Sequence, residues 1–190
     1  MSFFVLILGL ALWWATHLAK PMSLPFRTAI VARGGEGAAK VAMLAGTLAA
    51  VALMINGYKG ADYIDVWVPP LWLYPVNNLL MVLAIVVFFA GNIPGNVRAW
   101  IRHPQLTGLK LWALAHLLVN GDLASIILFG GLLAWGVVAL IAINKRDGKG
   151  RKPAPEGWKP NAIHAGVSVV AFTVITGVHN WAGVSPFGGG

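Results

Sequence analysis

Apolar residues fill long blocks of this chain, and the polar ones gather between them. Six blocks stand out, at 2–19, 38–57, 71–91, 104–120, 123–143 and 162–182. Each is close to the ~20 apolar residues that a helix needs to cross a bilayer. Pro69, Pro70 and Pro75 disturb the start of the third block, because proline breaks the helical hydrogen-bond pattern. The pattern predicts an all-α, polytopic membrane bundle of about six transmembrane helices. It forms a single domain over 1–185, with a basic cytoplasmic loop over 144–161 and a flexible tail over 186–190.

Composition sharpens this picture. The chain is 58% hydrophobic and only 11% charged, less than half the charge of an ordinary soluble domain. The first block lacks a basic leader and a small-residue cleavage site, so it is expected to be a retained span rather than a signal peptide. A net charge of +8 raises the question of nucleic acid, and its distribution answers it. Lys20, Arg27, Arg33 and Lys40 fall between the first two blocks, and Arg98 and Arg102 between the third and fourth. Lys145, Arg146, Lys149, Arg151, Lys152 and Lys159 fall between the last two. The alternate loops hold Lys59 against Asp62, Asp65 and Asp122. Six crossings therefore put nearly all the basic residues on one side, as the positive-inside rule requires, with both termini outside the cytoplasm. The partner implied by the charge is a lipid bilayer, not nucleic acid.

With no cysteine in the chain, disulfides, thiolate metal sites and cysteine nucleophiles are excluded. Chemistry within the spans falls to five histidines, His17, His103, His116, His164 and His179. His103 and His164 stand at the cytoplasmic starts of their spans, where water or headgroups can solvate them. His17, His116 and His179 lie inside spans, where an ionisable side chain is rare and marks a functional site by default. The competing reading is a neutral imidazole hydrogen-bonded to a neighbouring helix. Haem requires only one or two imidazoles and an apolar, aromatic slot. Trp112, Ala113 and Asn120 share a helical face with His116. Ala113 leaves room beside the ring, Trp112 can pack on a macrocycle edge, and Asn120 can hydrogen-bond a propionate. Asp122 reads as the helix cap of the fifth span, and Gly130 and Gly131 as packing positions.

The segment RHPQLTGLKLWALAHLLVNGDLA, with FGGLLAW and the closing HNWAGVSPF, resembles the NnrU family of bacterial membrane proteins across essentially the whole chain. That family is named for its link to nitric oxide and nitrite reduction in denitrifying bacteria. It is related to the 15-cis-zeta-carotene isomerases, which are membrane haem b proteins. The resemblance implies haem b held by His17, in WWATHLAK, and His116, which ends WALAH. The plant enzymes carry a cysteine three residues before the second ligand, where this chain has Ala113, so a thiolate-based redox mechanism is not available. Helix rise raises a second ligand pairing. His116 lies ~18 Å from the cytoplasmic start of its span and His17 only a few residues from the same end of its own. Depth thus favours His179 as the partner of His116, whereas the resemblance favours His17; His17 and His116 are the expected ligands, with His179 the alternative second one.

Arg102–His103–Pro104 also resembles the opening of the isoprenylcysteine-type membrane methyltransferases, in which it contributes to a cofactor pocket. Physically, Pro104 starts the helix, and Arg102 with the helix N-terminus can hold an anion. The acidic, tyrosine-containing segment that such enzymes need is missing from NKRDGKGRKPAPEGWKP. Three functions follow, all in a multi-pass protein of the bacterial inner membrane. The first is a haem b protein supporting nitrogen-oxide metabolism alongside denitrification or redox membrane proteins. The second is a haem-dependent cis–trans isomerase of an apolar polyene. The third is a cofactor-free accessory protein.

Overall fold

The computed structural model describes residues 1–148, 154 and 157–187. Most of the basic linker and the end of the tail (149–153, 155–156 and 188–190) lie outside the described residues. Among the described residues the chain forms seven α-helices and no strand. They are α1 (Ser2–Leu18), α2 (Pro25–Lys59), α3 (Leu73–Phe89), α4 (Val97–Trp100), α5 (Pro104–Val119), α6 (Leu123–Asp147) and α7 (Trp158–Trp181). The helices α2, α6 and α7 are long and apolar enough to cross a membrane, and α1 and α3 are apolar but shorter. Their outward faces are oily: on α2, Val41, Leu44 and Leu48 follow helical spacing and are each at least 60% exposed. Such stripes are stable against lipid tails and not in water.

Local chemistry explains the helix limits. Pro25 and Pro104 sit in the first turns of α2 and α5, where a missing N–H costs nothing. Pro75 falls in the first turn of α3, so the prolines delay that helix to Leu73 without breaking it. Asp122 caps α6 as expected, its Oδ1 accepting from the Ser125 N–H at 2.9 Å. The helix α2 begins thirteen residues before the apolar block does, and Gly35 (φ 73°, ψ −180°) breaks it near the junction. The salt bridge of Arg27 to Glu36, at 2.5 Å, spans that break.

The helices fall into two compact units. The first comprises Met1–Trp67 with α6, so α1 packs on α2 and α6. Small residues allow the α1–α2 contact: a Cβ on Gly57 would collide with the Leu6 backbone, and one on Gly9 with that of Met54. Gly131 lies against Leu10 and its carbonyl accepts from the Trp14 indole N–H at 3.1 Å, whereas Gly130 faces open space. The second unit comprises Val68–Asn120 with α7, and in it α3 packs on α5 and α7. Gly108 brings α5 against Ala84 and Phe88 of α3. Asn161 at the start of α7 accepts from the Asn96 N–H at 2.8 Å.

Candidate histidine sites

In the second unit, α5 carries His116 one turn before its end at Val119. Its Nδ1 lies 3.0 Å from the Trp112 carbonyl oxygen. A carbonyl only accepts, so Nδ1 carries the proton and Nε2 of the neutral ring carries the lone pair. The Trp112 indole packs on the imidazole at 4.8 Å between ring centroids. His179, two residues before the end of α7 at Trp181, repeats the arrangement, with Nδ1 2.8 Å from the Ile175 carbonyl. Both α5 and α7 begin near the end of α3 and run back along it: from the Gly108 and His164 contacts near Val86, His116 lies eight residues along α5 and His179 fifteen along α7, roughly 10 Å further.

The flanking candidates divide. Asn120 turns its amide back to the His116 carbonyl at 2.8 Å, so it closes the end of α5. Ala113 is wholly buried, so protein atoms fill the space beside it. Arg102 and His103 are half-buried just before α5, and His103 stands at its N-cap. The His103 carbonyl accepts from the Thr107 N–H at 2.9 Å, which makes the cap a backbone one.

In the first unit, His17 has its Nδ1 3.0 Å from the Trp13 carbonyl and 3.1 Å from the Thr16 hydroxyl. It stacks on the Trp13 ring at 3.8 Å, and Trp135 of α6 meets both rings edge-on at 5.2 and 5.4 Å. Trp135 is the middle residue of the 25-residue α6. His17 is therefore much deeper than its position near the end of α1 suggests, because α1 itself stops short.

His164 corrects an expectation. It is not an interfacial side chain but is 4% exposed, and its Nε2–H donates to the Val86 carbonyl of α3 at 2.8 Å. It rivets α7 to α3. Asn77 was not singled out from the sequence at all. It is 4% exposed, and its Oδ1 has no partner. Counting from the Gly108 contact with Ala84 and Phe88 puts Asn77 level with His116. Its only sequence signal is an Asn-Asn pair in an apolar run, which a span entrance also explains. Where residues 64–67 meet the start of α6, the backbones of Asp65 and Asp122 form an isolated bridge. The Asp65 carboxylate, by its charge and then by a hydrogen bond, raises the pKa of the Tyr63 phenol above its ordinary value.

The model of the NnrU family, described as NnrU protein, matches residues 5–186. The chain belongs to the NnrU family. Neither the curated proteins nor the solved structures contain a match to it. For an NnrU protein the histidine geometry bears directly on cofactor chemistry. Among the described residues no three or more His, Cys, Asp or Glu side chains gather as a metal cage. The histidines His17, His116 and His179 each turn Nδ1 to a carbonyl of their own helix.

Proposed function

We propose that this NnrU-family protein crosses the bacterial inner membrane six times, with both termini outside the cytoplasm. In that setting it binds haem b and supports nitric oxide and nitrite metabolism. The observation that carries the haem reading is the pair His116 and His179: they belong to one unit, and each turns Nδ1 to a carbonyl of its own helix, which sets Nε2 as the ligating nitrogen. His116 and His179 would hold the haem iron. Trp112 packs beside the His116 ring. Bound there, haem supplies a one-electron iron couple within the bilayer. The Trp112 and Ile175 carbonyls fix the two rings and make Nε2 more electron-rich. The link to nitrogen oxides rests on the family alone.

A second reading pairs His116 with His17, as in the related carotene isomerases, and makes the protein a haem-dependent isomerase of an apolar polyene. The Nδ1–carbonyl bond of His17 favours it, because that ring too is set to ligate through Nε2. Ala113 in place of a cysteine counts against it. Optical spectra of the detergent-purified protein, oxidised and dithionite-reduced, decide between these readings. The wild type is expected to show a Soret band and sharp reduced α/β bands, lost in His116→Ala and converted to a five-coordinate spectrum in His179→Ala. The same conversion in His17→Ala instead supports the second reading. No Soret band after expression with ample haem overturns both and leaves an accessory protein whose histidines pack helices.

A further inference from the structure

The first unit holds a second cluster that the haem reading does not use. Trp13, His17 and Trp135 form a three-ring contact between α1 and α6. Trp135 is 6% exposed, and the indole N–H groups of Trp13 and Trp135 are both buried without a hydrogen-bond partner. Trp14, one residue away, shows that this helix pair can satisfy an indole, since its N–H reaches the Gly131 carbonyl. Buried donors are almost always paired, and two orphans in one cluster call for an acceptor. His17 adds the complementary group: with Nδ1 protonated toward the Trp13 carbonyl, its Nε2 offers a lone pair.

The depth of the cluster restricts the occupant. Trp135 is twelve residues from either end of α6, roughly 18 Å along the helix. A ligand that reaches it arrives through the bilayer. A hydrocarbon polyene has no acceptor for the indoles. A haem propionate is anionic and belongs near an interface. A flat, lipid-soluble ring bearing carbonyl oxygens meets every demand: its oxygens accept from the indoles, its face packs on the aromatic rings, and its dihydroxy form donates to His17 Nε2.

We propose that the Trp13–His17–Trp135 cluster binds the headgroup of a membrane quinone. The assignment does not rest on haem at His116, so failure of the haem reading leaves it standing.

The test uses the full chain in lipid nanodiscs, with decylubiquinone as the probe and an alkylbenzene of equal chain length as the carbonyl-free control. Calorimetric titration is expected to show one quinone per chain and at least tenfold weaker binding of the control. Trp13→Phe and Trp135→Phe keep an aromatic ring and remove one donor each. Each is expected to weaken quinone binding about three- to tenfold, the ordinary net worth of one hydrogen bond. Trp181→Phe, on an 88% exposed residue, is expected to change nothing. Should the Phe variants fold poorly, ¹⁵N-tryptophan spectra of the wild type replace them. Two of the nine indole signals are expected to shift with quinone and none with the control. Equal affinity for the two probes, unmoved indole signals, or loss of the haem spectrum in His17→Ala overturns the proposal.

Discussion

A histidine in an apolar span reads the same in sequence whether it rivets two helices or holds a cofactor. The distinction lies in which ring nitrogen meets the protein. His164 donates Nε2–H to the Val86 carbonyl of another helix, whereas His17, His116 and His179 turn Nδ1 to a carbonyl four residues back in their own. The first ring ties two helices together, and the other three hold Nδ1 on their own helix. A pair of variants separates these roles. His164→Leu is expected to cost about 0.5–1.5 kcal/mol, since it abolishes the buried inter-helix bond to the Val86 carbonyl. It should lower the melting temperature in detergent and leave the Soret band intact. His116→Ala should do the reverse. A Soret band lost in both, with equal melting shifts, would mean that the spectrum reports folding and not ligation. The candidate residues were legible: five histidines in a cysteine-free chain, three of them inside apolar blocks. What could not be read was the burial of His164 and Asn77, because a span's entrance and its contact face use the same polar residues.

At the scale of the helices, proline, glycine and a capping aspartate set most boundaries, and these were legible because each acts through its own backbone. The block expected at 104–120 is helical as α5, Pro104–Val119, and the next helix starts at Leu123 behind its Asp122 cap. The start of α2 was not legible. Arg27, Arg33 and Glu36 read as loop, yet a helix holds them, because its hydrogen bonds are local and indifferent to charge. The short α4 has too few residues to leave a periodic signal. Gly35 is the hinge of α2, with φ at 73°, a conformation that a side chain strains. Gly35→Ala is therefore expected to destabilise the protein by about 1–3 kcal/mol. Gly37→Ala, two residues on, meets open space in ordinary helical conformation and should stabilise by up to about 1 kcal/mol. Unfolding in mixed micelles, followed by circular dichroism, measures both. Equal shifts for the two would mean that the break at Gly35 is not held in solution.

For the whole molecule the open question is the number of crossings, and α5 is the critical helix. Its 16 residues rise only about 24 Å, and it carries Lys110 and His116. The first unit constrains it nonetheless. The Val66 and Trp67 N–H groups donate to the Gly121 carbonyl, and the Leu123 N–H donates to that of Ile64. Residues 64–67, beyond the end of α2, thus lie beside the start of α6, on one side of any membrane that this unit spans. The chain leaves that side after Trp67 and is back on it at Gly121. Between those points α3 and α5 must either both cross or both fail to cross. Two apolar helices that both failed would leave α3's exposed Leu79, Val82 and Leu83 at a polar surface, which is costly; crossing together puts them in lipid. It also puts Arg98 and Arg102 on the basic side. The absence of native cysteine makes the test clean. Trp100→Cys, between α3 and α5 and 68% exposed, should resist a membrane-impermeant maleimide in intact cells and react after permeabilisation. Tyr63→Cys, 76% exposed beyond α2, should react in both. Labelling of Trp100→Cys in intact cells would reduce the count from six crossings to four. It would also move the end of α5, and His116 with it, out of the hydrocarbon where a haem-binding pair is expected.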